Sequence, residues 1–553
     1  MNALIGFEAL TEHVTTRNVL CLACGLVIIK YRDNLLWLIN SWRSPLRQLT
    51  GPDDNDSFIL GHLLTLFKAQ NTSIWEDWTQ KYGKTFRYRG FFGSYQLGTL
   101  DMRAINYVLS QPAMFPKSEK ARRALARILG AGLLSAETEA HKRQRRIMNP
   151  SFGPPQIRAL VPVFCEKANQ LRDIWLDLIS HNPEGTTIDV LQGLSRATLD
   201  IIGTTGFGYE FNSLQDGDED ELAKAFTKIF DSDQIDRTIL KTVISLTTQA
   251  LGIPTERSRR FKSNLETINR IGKGIVSDKK AMLRQSSKDG SEGKDRDILS
   301  ILIKSNMAQE TEGASKDQIM SDDEVMGQIS TFLAAGHETT GTSTTWALYA
   351  LTLYPAVQAK LRQELLGAGL GEAPPMADLE KLPYLDNFVR ETLRVYPAVA
   401  MVARQAIQDA VIPVGESYKD RYGVVRNEIR IQKWDVVRIP ILAMNRAKDV
   451  WGEDALEFRP ERWDNLPPMV KEMPGVWGHL MTFIHGNTSC IGYRFAVVEM
   501  KALLYSLVRS IEFSIDPDIE IEGRTGIVTR PCVKSQPKQG NQMPLICKPV
   551  TRA

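Results

Sequence analysis

Cysteine is scarce in this chain: six residues in 553, namely Cys21, Cys24, Cys165, Cys490, Cys532 and Cys547. So sparse a set cannot frame a disulfide-stapled fold and points to a reducing environment with free thiols. Excess charge of either sign is lacking too. The formal net charge is +3, and no long Lys/Arg run is interleaved with aromatics, which excludes a nucleic-acid partner as the reading of choice. No internal repeat is visible, and no uninterrupted apolar run reaches the roughly 20 residues that a spanning helix needs. A nucleotide fingerprint is also missing. Gly206-Phe207-Gly208 lacks the third glycine and the strand-to-helix setting of a flavin or nicotinamide site.

What is present is ample apolar material, 43% hydrophobic against 24% charged, as in an ordinary globular enzyme with a buried pocket. Length alone weakly favours two domains, so organisation has to come from motifs. At 19–29 the apolar run VLCLACGLVII is followed by Lys30, Arg32 and Asp33, then by a second apolar patch at 35–39 flanked by Trp37 and Trp42. Two readings stay open: a short or tilted anchor with snorkelling basic residues, or a helix lying in the membrane surface. A cleaved signal peptide is disfavoured, because Glu8 and Glu12 precede the run. The Cys21-x-x-Cys24 pair has no second Cys or His pair nearby, so it reads as small apolar residues rather than a zinc or redox motif.

Pro45, Gly51 and Pro52 punctuate a hinge, and the body behind it begins with strand-like alternation at 85–95 and 96–100 around a turn at Gly93. Most of the remainder shows helical period, so the fold class expected is mainly α with small β-sheets. The run SSKDGSEGKDRD at 286–297 reads as a solvated loop.

Ser321 and Glu324 form a capping box, predicting a long helix to about Tyr354 that Pro355 closes. Its middle, TFLAAGHETTGT, combines glycines with clustered threonines, a poor helix by propensity. Ala335 and Gly336 would leave room for a flat cofactor, while Glu338 and Thr339 set an acid beside a hydroxyl able to relay protons. A kinked core helix with solvated threonines is the bland alternative. Near the C-terminus, Phe483-Ile484-His485-Gly486-Asn487-Thr488-Ser489-Cys490-Ile491-Gly492 precedes the amphipathic stretch YRFAVVEMKALLYSL. Glycines let this loop curl around the sulfur, and a helix N-terminus stabilises a thiolate, making Cys490 a candidate metal ligand. An inert cysteine before a helix is the alternative.

Four stretches decide between these readings by resemblance. Ala335-Gly336-His337-Glu338-Thr339-Thr340, Glu391-Thr392-Leu393-Arg394, Phe458-Arg459-Pro460-Glu461-Arg462-Trp463 and the loop from Phe483 to Gly492 resemble, in this order, the signatures of the cytochrome P450 family. The resemblance runs from about Gly51 to the C-terminus and is closest to fungal microsomal members of secondary metabolism. It implies the cytochrome P450 fold, with heme b between the long central helix and the cysteine-ligand loop, in a catalytic domain at 51–553 behind a membrane anchor and hinge at 1–50. Cys490 would be the proximal iron ligand, whose anionic sulfur favours O–O cleavage. Phe483 would pack against the ligand loop that Gly486 helps to curl. Glu391, Arg394 and Arg462 would form a buried ion-bonded triad, costly to break. Thr339 and Glu338 would handle oxygen and protons, and His141, standing where the family usually has Trp, would join Arg145 and Arg404 in holding the heme propionates. One position departs from the pattern: Thr488 replaces the usual Arg or His two residues before the cysteine, removing a charged propionate partner.

The implied activity is insertion of one oxygen atom from O2 into a lipophilic substrate such as a terpenoid. Val399, Ala400, Met401, Val402, Phe332 and Ala335 would line the substrate wall. Electrons would come from an NADPH-dependent flavoprotein reductase steered by Lys142, Arg143, Arg145 and Arg146. The expected location is the endoplasmic reticulum membrane, with the catalytic domain on the cytosolic side. Two rivals stay open: a thiolate-heme isomerase or dehydratase needing no O2, and a non-catalytic heme sensor that would need Cys490 but not Thr339.

Overall fold

The computed structural model describes residues 32, 36–54, 57–68, 73–180, 182, 184–217, 219–231, 255–289, 297–311 and 319–550. The apolar run at 19–29, with Cys21 and Cys24, lies outside them, as do residues 290–296 of the expected loop. Among the described residues no helix is long and apolar enough to cross a membrane.

The helices that frame the interior are α1 (Glu119–Leu129), α2 (Thr138–Met148), α3 (Pro154–Ser180), α4 (Val190–Ile202), α5 (Glu221–Asp231), α6 (Glu256–Asp289), α7 (Asp322–Leu353), α8 (Pro383–Val395) and α9 (Tyr493–Ser510). At the centre, α7 starts where both halves of the Ser321/Glu324 capping box close. Asp322, Asp323 and Glu324 complement its positive end, and Pro355 opens the following helix. Its threonines meet the apolar surroundings by back-bonding: Thr344 donates to Thr340 O at 2.9 Å and Thr345 to Gly341 O at 2.8 Å. Gly336 departs from the expectation. A Cβ there would stand 3.0 Å from the Ile202 side chain, and one at Gly341 would stand 3.0 Å from Thr198 Oγ1. Both glycines therefore let α7 and α4 approach closely, and only Ala335 leaves open space.

The sheets are small. A four-stranded sheet runs β1 (Thr85–Arg89), β2 (Tyr95–Thr99), β7 (Val436–Ile439), β4 (Val402–Gln405), with β1 and β2 joined by a turn at Phe91–Gly93. β5 (Ala410–Lys419) and β6 (Val425–Ile431) form a separate hairpin, and β9 (Ile521–Thr525) pairs with β10 (Thr529–Val533). β11 (Pro544–Pro549) lies between β3 (Thr186–Asp189) and β8 (Ile511–Ser514). The loop expected at 286–297 is shorter than its composition suggested. α6 continues through Asp289, and Asp297 is buried, pairing with Lys279 at 3.0 Å while accepting from Ser300 N and Oγ. Its charge is a helix cap rather than a solvated one.

Glu391 and Arg394 of α8 are both fully buried. Arg394 Nε and Nη2 each donate to a Glu391 oxygen at 2.8 Å, and the remaining donors reach Asn445 O, Ala455 O and Glu457 O. Arg462 Nε lies 3.4 Å from Glu391 Oε1, while its Nη1 binds Asp454 Oδ1 at 2.6 Å. Glu391 also accepts from Arg459 N and Trp463 Nε1. All five N–H groups of Arg394 are thus used, a pattern that a lysine cannot reproduce.

At the N-terminal edge, Ser44 Oγ donates to Asp435 Oδ2 at 2.7 Å, and Gln432 N donates to the same oxygen at 3.0 Å. This buried contact ties the 310 turn at Pro45–Gln48 to the loop before β7. Burial pushes the Asp435 carboxyl up to about 7, with neighbouring Asp409 adding to the effect and the two hydrogen bonds opposing it.

Two outcomes follow from these buried groups. Glu391→Gln leaves the buried Arg394 guanidinium without its counter-ion, while Arg462 keeps Asp454, and lowers unfolding free energy by about 3–5 kcal/mol, read from urea denaturation of the apoprotein; a loss below about 1 kcal/mol would show the triad to be dispensable. For Asp435, the folded chain keeps a proton that the unfolded chain releases above the ordinary 3.8. Its contribution is fully present below that value and is lost as pH rises through about 7. Asp435→Asn should therefore stabilise at pH 8 by on the order of 2 kcal/mol, with the gain vanishing near pH 4 in paired thermal melts.

Candidate functional site

The loop from Phe483 to Gly492 is built by two short 310 turns, Met481–Phe483 and Gly486–Thr488. Cys490 N donates to Phe483 O at 2.9 Å and Ser489 N to Gly486 O at 3.1 Å, so the chain doubles back on itself just before the cysteine. Gly486 has φ +77°, and a Cβ there would stand 2.8 Å from Leu109 O, which leaves glycine as the residue that fits. Phe483 is buried between Trp477, at 5.8 Å, and Tyr493, at 6.1 Å between ring centroids. α9 begins three residues beyond Cys490. Part of the Cys490 surface is exposed. Burial pushes its thiol up, while the Gly492 N–H and the Arg145 charge pull it down.

Beside this loop stands a basic cluster. Arg145 of α2 donates to Ser489 O and, at 3.3 Å, to Ser489 Oγ, while Arg404 of β4 donates to Thr488 Oγ1 at 3.3 Å. His141, one turn before Arg145, is buried; burial first, then the charges of Lys117 and Arg145, lowers its pKa to about 4. It is therefore neutral rather than cationic at physiological pH. Lys117 was missed by the sequence reading, since a lone lysine ahead of a helix carries no pattern. It arrives because Pro116 O accepts from Gln405 N at 2.9 Å, bringing the segment beside β4, and its Nζ binds Glu137 at 2.6 Å. Lys117 and Arg404 face a single carboxylate, Glu137, and Arg145 stands beside the cysteine, so these three cations exceed that acid by two. That imbalance fits a ligand bearing two carboxylates, as heme b does.

On α7, Ala335 is exposed in the middle of a helix otherwise mostly buried. Thr339 Oγ1 donates to Ala335 O at 2.6 Å. Glu338 is ion-paired with Arg530 of β10 rather than free. Of the expected substrate wall, Val399, Met401 and Val402 are partly exposed, whereas Ala400 is buried. Phe332 is buried too, held between Phe152 and Phe207 at 5.6 and 6.4 Å, as a core residue. A second residue missed by sequence is Glu499 of α9. It has no exposed surface and lies beside Thr340, and burial pushes its carboxyl well above the usual range. The four basic residues expected to steer a reductase divide. Lys142 and Arg146 are exposed, whereas Arg143 pairs with Glu324 and Arg145 turns to Ser489.

Comparison with known proteins bears on this geometry. The cytochrome P450 family model matches residues 52–532. Cytochrome P450 monooxygenase 205 of Postia placenta is 43% identical over 543 residues, covering 97% of this chain and 99% of the relative. Cytochrome P450 monooxygenase 128 of the same fungus is 44% identical over 519 residues, 92% of this chain and 94% of the relative. A ganoderic acid synthetase of Ganoderma lucidum is 32% identical over 518 residues, 89% and 92% of the two chains. With matches spanning both sequences almost end to end, and a mainly helical fold with small sheets around a cysteine loop and a doubly positive cluster, the chain belongs to the cytochrome P450 family of heme b monooxygenases.

Proposed function

We propose that Cys490 is the thiolate ligand of the heme iron and that the enzyme inserts one oxygen atom from O2 into a lipophilic, terpenoid-like substrate of secondary metabolism. The observation that carries this reading is the placement of a sulfur on a doubled-back loop at the start of α9, beside a cluster with two positive charges in excess. Lys117, His141, Arg145 and Arg404 would hold the carboxylates of the heme, and the ring would lie against the open face of α7 at Ala335. Heme b supplies, when bound, the redox-active iron that the side chains alone lack. Gly492 N–H and Arg145 favour the ionised sulfur against the cost of burial.

Thr339 keeps two lone pairs available while its proton is committed to Ala335 O, so its hydroxyl can accept from a water or hold one in place on the open face. Glu338 can deliver a proton only by exchanging its Arg530 contact, which makes that pair a gate on proton supply. Val399, Met401 and Val402 offer an apolar wall suited to a lipophilic substrate. Secondary metabolism is supported by a relative whose name records ganoderic acid synthesis. Electrons would come from an NADPH-dependent flavoprotein reductase, steered by the exposed charges of Lys142 and Arg146. The apolar run at 19–29 would attach the enzyme to the endoplasmic reticulum membrane, with the catalytic domain on the cytosolic side.

The reduced, CO-bound absorption spectrum of the holoprotein should show a thiolate-ligated band that Cys490→Ala abolishes; a histidine-type spectrum in the unsubstituted enzyme would overturn the ligand assignment. Thr339→Ala should leave NADPH and O2 consumption within a few-fold while diverting it to peroxide, with product per NADPH falling about tenfold. Unchanged coupling in that variant would overturn the role given to Thr339, and turnover without NADPH and O2 would instead favour an isomerase.

A further inference from the structure

We propose that Thr198 of α4 is a positioning residue for the reaction: its hydroxyl holds the His337 carbonyl and thereby fixes the rotation of α7 that presents Glu338 and Thr339. This rests on the role given above to Thr339 and deepens it by naming what keeps that residue in place. Thr198 is fully buried, and its Oγ1 lies 3.0 Å from His337 O on the neighbouring helix. Its own helix offers two further acceptors, Leu194 O at 2.9 Å and Ser195 O at 3.2 Å. A hydroxyl has one proton to donate, so the three carbonyls compete for it. Bonding back to its own preceding turn alone is the ordinary arrangement for a buried helical threonine, and Thr344 and Thr345 of α7 follow it. Thr198 differs in having an acceptor of another helix within reach.

The bond crosses where the two helices run close together. A Cβ at Gly336 would stand 3.0 Å from the Ile202 side chain, and one at Gly341 would stand 3.0 Å from Thr198 Oγ1. At about 100° per residue, Gly336, His337 and Gly341 face one side of α7, while Ala335, Glu338 and Thr339 fall on the opposite side. Those last three keep exposed surface, whereas His337 and Gly341 are buried. α4 therefore grips the back of the turns whose front is open. With side chains about 5 Å from the helix axis, a rotation of about 10° displaces them by about 1 Å. A shift of that size spoils the alignment that proton delivery requires.

Packing of small residues brings the helices together but does not set their rotation, because dispersion contacts have no direction. A hydrogen bond weakens steeply off its axis and so resists turning. Both ends of this bond are anchored. The His337 ring is buried, and its Nδ1 donates to Leu333 O at 2.5 Å, one turn back on α7, since a carbonyl can only accept. On α4, the buried Asp200 carboxylate accepts from Ser213 N at 2.8 Å and Leu214 N at 3.0 Å, which ties the helix to the chain beyond it.

The test compares two variants of the holoprotein: Thr198→Val, close in shape but without the hydroxyl, and Thr198→Ser, which keeps it. Thr198→Val should raise the fraction of NADPH diverted to peroxide about fivefold while leaving KM nearly unchanged. It should also shift the C–O stretching band of the reduced CO complex, which senses polar groups on the open face of α7. Amide hydrogen exchange at 337–342 should speed up about tenfold, as loss of one buried hydrogen bond allows. Thr198→Ser should restore all three readouts. Unchanged coupling and an unchanged CO band in Thr198→Val, with Thr339→Ala uncoupled in the same assay, would overturn the proposal and leave the Thr339 reading intact. Coupling unchanged in both variants would overturn both. A loss in Thr198→Val that Thr198→Ser does not restore would assign the effect to packing and also overturn the proposal. Should Thr198→Val yield no holoprotein, Gly341→Ala presses on the same hydroxyl from the α7 side; uncoupling is then expected, and unchanged coupling would overturn the proposal.

Discussion

A carboxylate with no exposed surface, Glu391, held between two guanidinium groups, is the constraint on which the cysteine loop depends. The dependence can be followed bond by bond. Arg394, paired with Glu391, donates to Asn445 O; the Asn445 side chain accepts from Met481 N at 3.0 Å and donates to Thr482 Oγ1 at 2.8 Å. Thr482 Oγ1 donates to Leu393 O at 2.7 Å, back on α8, and the next residue, Phe483, accepts from Cys490 N. Two charges that would each be expensive to bury alone are thus neutralised in a network that also orients the loop carrying the sulfur. Such a network is worth more for placing Cys490 than for net stability, because an apolar cluster could fill the same volume but could not fix the carbonyls of residues 445, 455 and 457.

How much of this was legible in the sequence depended on whether the signal was local. The capping box at Ser321/Glu324, the break at Pro355, the β1–β2 turn at Gly93 and the run from Phe483 to Gly492 each act over a few residues, and the structure places each where the sequence did. Misread positions were those whose meaning is tertiary. Gly336 looked like room for a cofactor because a sequence shows a missing side chain but not the Ile202 that fills the gap. Arg143 looked like a surface charge until Glu324, far along the chain, claimed it. Lys117 had no pattern at all and matters only because strand pairing around β4 carries its segment to the basic cluster. Composition misled in the same way at Asp297, which sits in a polar run yet is buried as a cap.

The basic cluster also bears on the one departure from the family pattern. Thr488 removes a cation beside the cysteine, but its hydroxyl accepts from Arg404, and Lys117 supplies a charge from another segment. With His141 neutral, Lys117, Arg145 and Arg404 still exceed Glu137 by two charges, so positive charge remains beside the loop without a cation at 488.

Burial keeps negative charge off α9. Glu499 lies nine residues beyond Cys490 on the helix whose N-terminus faces the sulfur. At about 1.5 Å per residue the separation is roughly 13 Å. Were Glu499 ionised, a second negative charge at that distance would oppose a thiolate by about 1 kcal/mol at an effective dielectric constant near 20. Burial pushes its carboxyl well above the usual range, so the proton stays and that opposition disappears. Burial acts on Cys490 in the same sense, raising its thiol, but there the Gly492 N–H and Arg145 act against it, and Glu499 has only the Thr340 hydroxyl. Burial thus pushes both acids toward the neutral form, but only at Cys490 do a backbone N–H and a guanidinium act together against that push.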